Sequence, residues 1–232
     1  ALELDPTSAY LNTRVASMLF GARKVADALI MARNATLFDP KYEEAYSLLG
    51  KIYNIVGDRP RAIDAYSKAL ELKPDDTDLY VFIGSLQMAQ KQHEEAEKTF
   101  LKMIQQFPEE GEGYFYLGRV YIENKQYDKA VEIFQSLLQK RPDAAPRIEL
   151  ELGGIYAVQK NYAEAEKHFR EAIKLDQFNI NARLSLAHAL AAQKKQKEAQ
   201  EVFDELAKLA PSNVSIQIRM ALILADQKQY DR

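Results

Sequence analysis

Residues 43–74 read EEAYSLLGKIYNIVGDRPRAIDAYSKALELKP. The first half places tyrosine, leucine and glycine at intervals of three and four between Tyr46 and Tyr53, which is the spacing of one helix face. The dipeptide Gly57-Asp58 interrupts this pattern, and a second set with the same spacing runs from Ala62 to Leu70, before Pro74. A tight reversal between two such segments predicts a pair of antiparallel helices.

The closing proline of this unit recurs along the chain with a period of 34 residues. The prolines in this register are Pro6, Pro40, Pro74, Pro108 and Pro142, and Pro211 returns to it after one added residue and one unit without its proline. A period in this range indicates stacked repeats rather than one globular core. We expect a single repeat array over residues 1–232. It divides into the end of a preceding repeat (1–6), six repeats (7–40, 41–74, 75–108, 109–142, 143–177 and 178–211) and a truncated repeat (212–232). Because both ends match interior parts of a repeat, we expect the chain to be a fragment of a longer one.

Small residues recur at one position of each predicted helix. On the first helix they are Ala16, Gly50, Gly84, Gly118, Gly153, Ala187 and Ala221, and on the second they are Ala28, Ala62, Ala96, Ala130, Ala165 and Ala199. The second helix also carries a large residue at a fixed place: Tyr66, Phe100, Phe134, Phe169 and Phe203, with Ala32 as the exception. A glycine inside a helix costs about 1 kcal/mol relative to alanine. Its recurrence therefore predicts a close crossing between the two helices of each repeat.

These positions resemble the pattern of the tetratricopeptide repeat family, which follows an aromatic residue with Leu-Gly, a second aromatic, alanine, a third aromatic, alanine and proline. In the second repeat the pattern reads Tyr46, Leu49-Gly50, Tyr53, Ala62, Tyr66, Ala69 and Pro74. The resemblance covers the whole chain. It implies an all-α fold, a right-handed αα-superhelix (solenoid) of about seven 34-residue helix-turn-helix repeats.

Several repeats depart from this pattern. Polar residues stand at the first aromatic position in four of them: Asn12, Glu149, Arg183 and Gln217. The fifth repeat has an extra residue near Ala145 and Pro146, and Gln177 replaces its closing proline. Two outcomes are open for this repeat, a change of stacking angle around residues 143–149 or a loop extension without further consequence.

The resemblance also implies that the first helices line a concave wall, at the second, fifth, sixth, ninth, twelfth and thirteenth positions of each unit, counted from Glu43 in the second repeat and from the equivalent residue in the others. Many of these positions are apolar, which indicates either a groove for an extended or helical peptide or packing between neighbouring repeats. The candidate peptide-binding or partner-binding residues on this wall are Lys51, Ile55, Val81, Phe82, Ser85, Met88, Phe115, Tyr116, Arg119, Ile122, Leu150 and Val158. We expect Phe82, Phe115 and Tyr116 to be the anchors of such a peptide.

The remaining composition excludes several classes of function. The net charge of −3 gives no basic field for nucleic acid, and no apolar run approaches the roughly 18–20 residues of a membrane span. The chain has no cysteine, and its three histidines lack the spacing of a zinc site. We therefore predict no catalytic residue, no metal and no cofactor.

The sequence thus predicts a non-catalytic protein-protein interaction module or scaffold that binds a peptide or partner protein in its concave groove. Two alternatives remain open. The chain is either a structural spacer or a self-associating scaffold within a larger assembly, with association through its uncapped ends, or it is the targeting arm of an enzyme whose catalytic domain lies outside residues 1–232.

Overall fold

The computed structural model describes residues 5–209 together with Val214, Gln217, Ile218, Ala221 and Leu222. These residues form twelve α-helices and one short 3₁₀ turn, and none of them forms a strand. The α-helices are α1 (Ala9–Gly21), α2 (Val25–Phe38), α3 (Glu43–Ile55), α4 (Arg59–Leu72), α5 (Thr77–Ala89), α6 (His93–Gln106), α7 (Gly111–Glu123), α8 (Tyr127–Lys140), α9 (Ala145–Val158), α10 (Tyr162–Leu175), α11 (Ile180–Ala192) and α12 (Gln196–Leu209). The truncated repeat predicted for residues 212–232 lies outside the described residues, apart from the five single positions.

The chain forms two compact units, Ala1–Asn124 and Lys125–Arg232. In the first unit, α1 packs against α2, α3 against α4 and α5 against α6, and in the second α9 packs against α10 and α11 against α12. The second helix of one repeat also contacts the first helix of the next, as α2 contacts α3 and α10 contacts α11. Stacked helix pairs therefore occur in both units, and the predicted all-α helix-turn-helix fold is confirmed.

One backbone position in the turn between the two helices of each repeat adopts the left-handed conformation. These residues are Arg23, Gly57, Lys91, Lys125, Lys160 and Lys194, with φ between 59° and 83°. They follow the 34-residue period of the sequence, with the one added residue before Lys160. The same tight reversal thus connects the helices throughout the described repeats.

Glycine is sterically required where the two helices of a repeat cross. A Cβ atom built on Gly50 would lie 2.5 Å from ring atoms of Tyr66, and one on Gly153 would lie 2.5 Å from the ring of Phe169. Gly84 meets the ring of Phe100 in the same way. Separations this short cannot be accommodated without moving the ring or the helix. The close crossings predicted from the recurring glycines are confirmed at these three positions.

In the fifth repeat α9 has 14 residues, one more than the other first helices, and a 3₁₀ turn, Pro142–Ala144, lies directly before it. The turn takes the place of the extended approach that precedes the first helices of the other repeats, such as Asp76 before α5 and Glu110 before α7. A change of stacking angle at this repeat stays a prediction.

The polar residues at the first aromatic position have local partners. Asn12 is buried, and its amide donates hydrogen bonds to the carbonyl oxygens of Pro6 and Ser8, at 3.0 and 2.9 Å. Glu149 pairs with Nδ1 of His168 at 2.7 Å. Arg183 is also buried, and its Nε lies 3.4 Å from Glu205. Such partners offset the cost of burying a polar group at Asn12 and Glu149, whereas Nη1 of Arg183 is buried and has no hydrogen-bond partner among the described residues.

Candidate functional site

The wall positions of the first helices fall into two groups, one in each unit. The first-unit wall comprises the wall positions of α1, α3, α5 and α7, and the second-unit wall comprises those of α9 and α11. Neighbouring first helices contact each other in both units, for example α1 with α3 and α9 with α11. Residues of two neighbouring first helices, such as Ser17 and Lys51, line one depression of the first unit. The register taken from the sequence therefore groups residues that share a surface.

The twelve predicted site residues differ widely in exposure. Lys51, Ile55, Phe82, Arg119 and Val158 are exposed; Val81, Ser85, Tyr116, Ile122 and Leu150 are half-buried; Met88 and Phe115 are buried. Ile55 and Val158 are the most open of the apolar ones, with 67% and 62% of their surface accessible, and Phe82 follows with 38%. Ile55 and Phe82 belong to the first-unit wall, and Val158 belongs to the second-unit wall.

The three expected anchors also pack within the first unit. The ring of Phe82 stacks on Tyr66 of the preceding second helix, with centroids 5.2 Å apart. Tyr116 stacks on Phe100 at 5.3 Å, and Phe115 meets Tyr116 edge to face. The two interpretations of the apolar wall thus apply to different residues. Phe115 and Tyr116 contribute mainly to packing between repeats, whereas Phe82 contributes to packing and also faces solvent.

Charges of both signs surround the depression between α1 and α3. Arg14, Lys51 and Glu43 line it. Burial raises the pKa of Glu43, the neighbouring Glu44 raises it further, and Lys73 opposes the change. This mixture of charges favours the polar side chains and backbone groups of a ligand over a ligand whose charges all have one sign.

The second-unit wall contains a pocket with a volume of about 600 Å³. On the α9 side it is lined by Leu150, Glu151, Gly154 and Ala157, and on the α11 side by Asn181, Leu184, Ser185 and His188, with Phe169 and Leu222 completing the lining. We call this the α9/α11 pocket. The sequence prediction included only Leu150 from this set. The wall positions, applied to the sixth repeat, would have identified these four α11 residues, because they are the second, fifth, sixth and ninth residues of α11.

Two classes of site are not found among the described residues. Across that part of the chain, no three His, Cys, Asp or Glu side chains group in a way that could hold a metal ion. No helix built from those residues is long and apolar enough to cross a membrane.

The repeat fold and its first-helix walls define a helical-repeat protein. Comparisons of the sequence with known families identify the family to which it belongs. The tetratricopeptide repeat domain of cytochrome c-type biogenesis protein H matches residues 25–148, which is more than half of the chain. Two further tetratricopeptide repeat families match residues 117–180 and 158–222. The chain belongs to the tetratricopeptide repeat family. Proteins of this family are protein-interaction modules and are generally non-catalytic scaffolds.

Solved structures share the fold. PilW, described as a widely conserved type IV pilus biogenesis factor, superimposes with a TM-score of 0.69 at 19% identity, over 90% of this chain and 97% of PilW. YrrB, described as a tetratricopeptide repeat protein with an unusual peptide-binding site, superimposes with a TM-score of 0.62 at 21% identity, over 78% of this chain and 93% of YrrB. At this level of identity the similarity establishes the fold alone.

A curated relative is anaphase-promoting complex subunit 3 of Dictyostelium discoideum. It is 27% identical over 77 residues, which is 33% of this chain. The match spans only 8% of that protein's length.

Proposed function

We propose that the first-helix walls bind a partner polypeptide, in an extended or helical conformation, and that the protein acts as a non-catalytic interaction module. The observation that carries the proposal is the exposure of Ile55 and Phe82 at wall positions of neighbouring repeats in the first unit. Lys51 lies one helical turn before Ile55 and is exposed beside it. An apolar anchor next to a cation is a common arrangement at peptide-binding surfaces.

Packing beneath the wall supports a preformed surface. Phe82 is held by its stacking contact with Tyr66, so a ligand that covers its open edge does not have to order it first. Pre-ordered aromatic side chains give up little conformational entropy on binding and are favoured at interfaces for this reason. The peptide-binding site named for YrrB shows that a similar fold supports this function in another protein.

A random peptide library displayed on phage provides a test that assumes no partner. Peptides selected on the wild-type protein are synthesised, and their affinity is measured by fluorescence anisotropy. We expect Ile55→Ser to weaken the selected peptides by about tenfold, because it removes one buried apolar anchor. Leu101→Ser is the control, since Leu101 is an exposed apolar residue on the second helix α6, away from the wall.

The control also defines the result that overturns the proposal. If Leu101→Ser weakens the peptides as strongly as Ile55→Ser, or if neither variant changes their affinity, the wall is not the binding surface. Circular dichroism of each variant shows whether its helix content matches that of the wild type.

Self-association is a second candidate function because the first repeat exposes several large apolar side chains. Met18, Ile30 and Leu37 each have more than half of their surface accessible. Burying such residues between two copies would give a scaffold rather than a peptide receptor. Sedimentation velocity over a range of concentrations tests this candidate. Association that Leu37→Ser abolishes supports it, and a monomer at the highest concentration excludes it.

A further inference from the structure

We infer that the α9/α11 pocket of the second unit receives an aromatic side chain of a bound polypeptide. The inference rests on the proposed function and specifies the ligand chemistry of one site on the second-unit wall. Three observations carry it: a small residue at a position where two other repeats place a ring, a glycine that packing does not require, and the character of the pocket lining.

The first observation concerns the sixth position of the first helix. In the third and fourth repeats this position holds Phe82 and Tyr116, and each ring stacks on the aromatic residue of the preceding second helix. In the sixth repeat the same position holds Ser185, which lines the pocket together with Phe169 of the preceding second helix. The protein thus places its own ring over this kind of site twice, and in the second unit a hydroxymethyl group leaves space there. Leu184 belongs to the core cluster that buries Phe169, so the open space lies above a formed apolar floor.

The second observation is the contrast between the adjacent residues Gly153 and Gly154 of α9. Any side chain at Gly153 would collide with Phe169, so this glycine serves packing. A Cβ atom on Gly154 would meet no described atom within 4 Å. A glycine in a helix interior costs about 1 kcal/mol relative to alanine, and here packing gives no reason for that cost. Gly154 lines the pocket, and its missing side chain keeps the pocket entrance wide for another molecule.

The third observation is the lining. Leu150, Ala157 and Leu184 are apolar, whereas Asn181 and Ser185 lie on the polar α11 side. A cavity of about 600 Å³ is within the size range of ligand sites. An aromatic ring fits such a lining, since it buries a large apolar area and leaves the adjacent peptide groups to hydrogen-bond with the polar side.

The charge of the lining further restricts which polypeptide segments could bind in the α9/α11 pocket. The one acidic side chain among the described lining residues is Glu151, and no lysine or arginine accompanies it there. An anionic segment, including a phosphorylated one, would meet the negative charge of Glu151. The expected ligand is therefore an aromatic residue within a neutral or basic segment.

The test uses three small probes: the N-acetyl amides of phenylalanine, leucine and glutamate. Each is titrated into ¹⁵N-labelled protein while amide chemical shifts are recorded. We expect the phenylalanine probe to shift the resonances of Gly154, Ser185 and His188, with a dissociation constant on the order of 1 mM for so small a ligand. Equal shifts with the leucine or glutamate probe, or no shift at these residues, would overturn the inference.

A variant that fills the pocket from within the chain gives the second test. Ser185→Phe restores the aromatic residue found at Phe82 and Tyr116, and we expect it to fold and to weaken the phenylalanine probe by about tenfold or more. Gly154→Gln narrows the entrance independently, should Ser185→Phe not fold. Gln200→Phe is the control, because it adds a ring on the exposed side of α12 and should leave the probe affinity unchanged.

The outcomes separate this inference from the proposed function. If library peptides bind and respond to Ile55→Ser but the phenylalanine probe fails, the pocket assignment is wrong and the wall proposal stands. If the probe binds at the pocket and no library peptide responds to Ile55→Ser, the first-unit proposal fails. Retention of the probe by both filled variants contradicts the pocket assignment.

Discussion

Gly153 of α9 lies against the ring of Phe169 of α10, so closely that a Cβ atom on the glycine would be 2.5 Å from the ring. The same relationship joins Gly50 to Tyr66 in the second repeat. In each case the two residues come from the two helices of one repeat. The contact explains why an unfavourable helix residue recurs at this place, because only glycine permits the ring to fill the crossing.

This relationship predicts opposite effects for two neighbouring substitutions. Gly153→Ala should lower the free energy of unfolding by about 1–3 kcal/mol, since the ring or the helix must move. Gly154→Ala should raise it by up to about 1 kcal/mol, because the new methyl group meets open space and alanine favours the helix. Urea denaturation followed by circular dichroism measures both. Changes of the same sign in the two variants would contradict the packing described here.

The left-handed turn residue predicts a stabilising substitution. Lys91 has φ of 60°, and the equivalent position in the preceding repeat is Gly57, with φ of 83°. A residue with a Cβ atom in this conformation destabilises the folded state by roughly 1–2 kcal/mol. Glycine avoids this cost, but it loses more conformational entropy on folding, which offsets part of the gain. We expect Lys91→Gly to raise the free energy of unfolding by about 0.5–1 kcal/mol.

The reverse substitution is the control for this turn. Gly57→Lys should lower the free energy of unfolding by a similar amount, since it imposes the same conformation on a side chain. Thermal and urea denaturation should agree on the two signs. A loss of stability in Lys91→Gly would show that contacts of the lysine outweigh its backbone conformation.

Exposure separates the predicted wall residues into packing residues and surface residues. Phe115 is only 4% exposed, so Phe115→Ala should cost about 3–5 kcal/mol of stability. Ile55→Ala should change stability by less than about 0.5 kcal/mol, because the side chain is largely in solvent. Chemical denaturation of both variants checks this difference. A large effect at Ile55 would indicate that it packs within the first unit and is a poor candidate for ligand contact.

The helix pairs and their crossings could be predicted because one period repeats along the chain. Tyr66 and Gly50 are separated in sequence by the same number of residues as Phe100 and Gly84. The same close crossing is therefore expected in several repeats. The exposure of the wall could not be predicted in the same way. Whether a wall residue faces solvent depends on its packing against other helices, and that packing involves residues distant in sequence, as Tyr66 is from Phe82.

The α9/α11 pocket was missed for a related reason. The predicted wall residues are mostly large and apolar, whereas this pocket arises from residues that are small. Ser185 and Gly154 give no hydrophobic signal, and their meaning appears only when Ser185 is compared with Phe82 and Tyr116 at the same position of other repeats. In a repeat protein, a small residue at a position where other repeats place a ring therefore carries information of its own.

A cluster around Glu166 of α10 predicts a pH-dependent contribution to stability. Lys195 donates a hydrogen bond of 2.7 Å to Glu166, Gln193 donates one of 2.9 Å, and Arg170 pairs with its other oxygen at 2.9 Å. The pairs with Lys195 and Gln193 tie α10 of the fifth repeat to the turn before α12 of the sixth.

The sign of the effect follows from the pKa of Glu166. Burial by itself raises this pKa, but the hydrogen bonds from Lys195, Arg170 and Gln193 outweigh burial and lower it. A carboxyl group with a lowered folded-state pKa stabilises the protein above its unfolded pKa, near 4.3. That stabilisation is lost as pH falls through the folded-state value.

We therefore expect Glu166→Gln to lower the free energy of unfolding at pH 7 by about 1–3 kcal/mol, the range for hydrogen bonds to a charged group. The difference from the wild type should shrink as pH falls below about 4, where Glu166 itself becomes neutral. Urea denaturation at a series of pH values from neutral to acidic measures it. Glu201→Gln on the exposed side of α12 is the control and should show little difference at neutral pH. Only the charged form of Glu166 forms ion pairs with Lys195 and Arg170 in the folded state. If the difference in free energy of unfolding between Glu166→Gln and the wild type stays constant across this pH range, the loss of stability comes from altered packing.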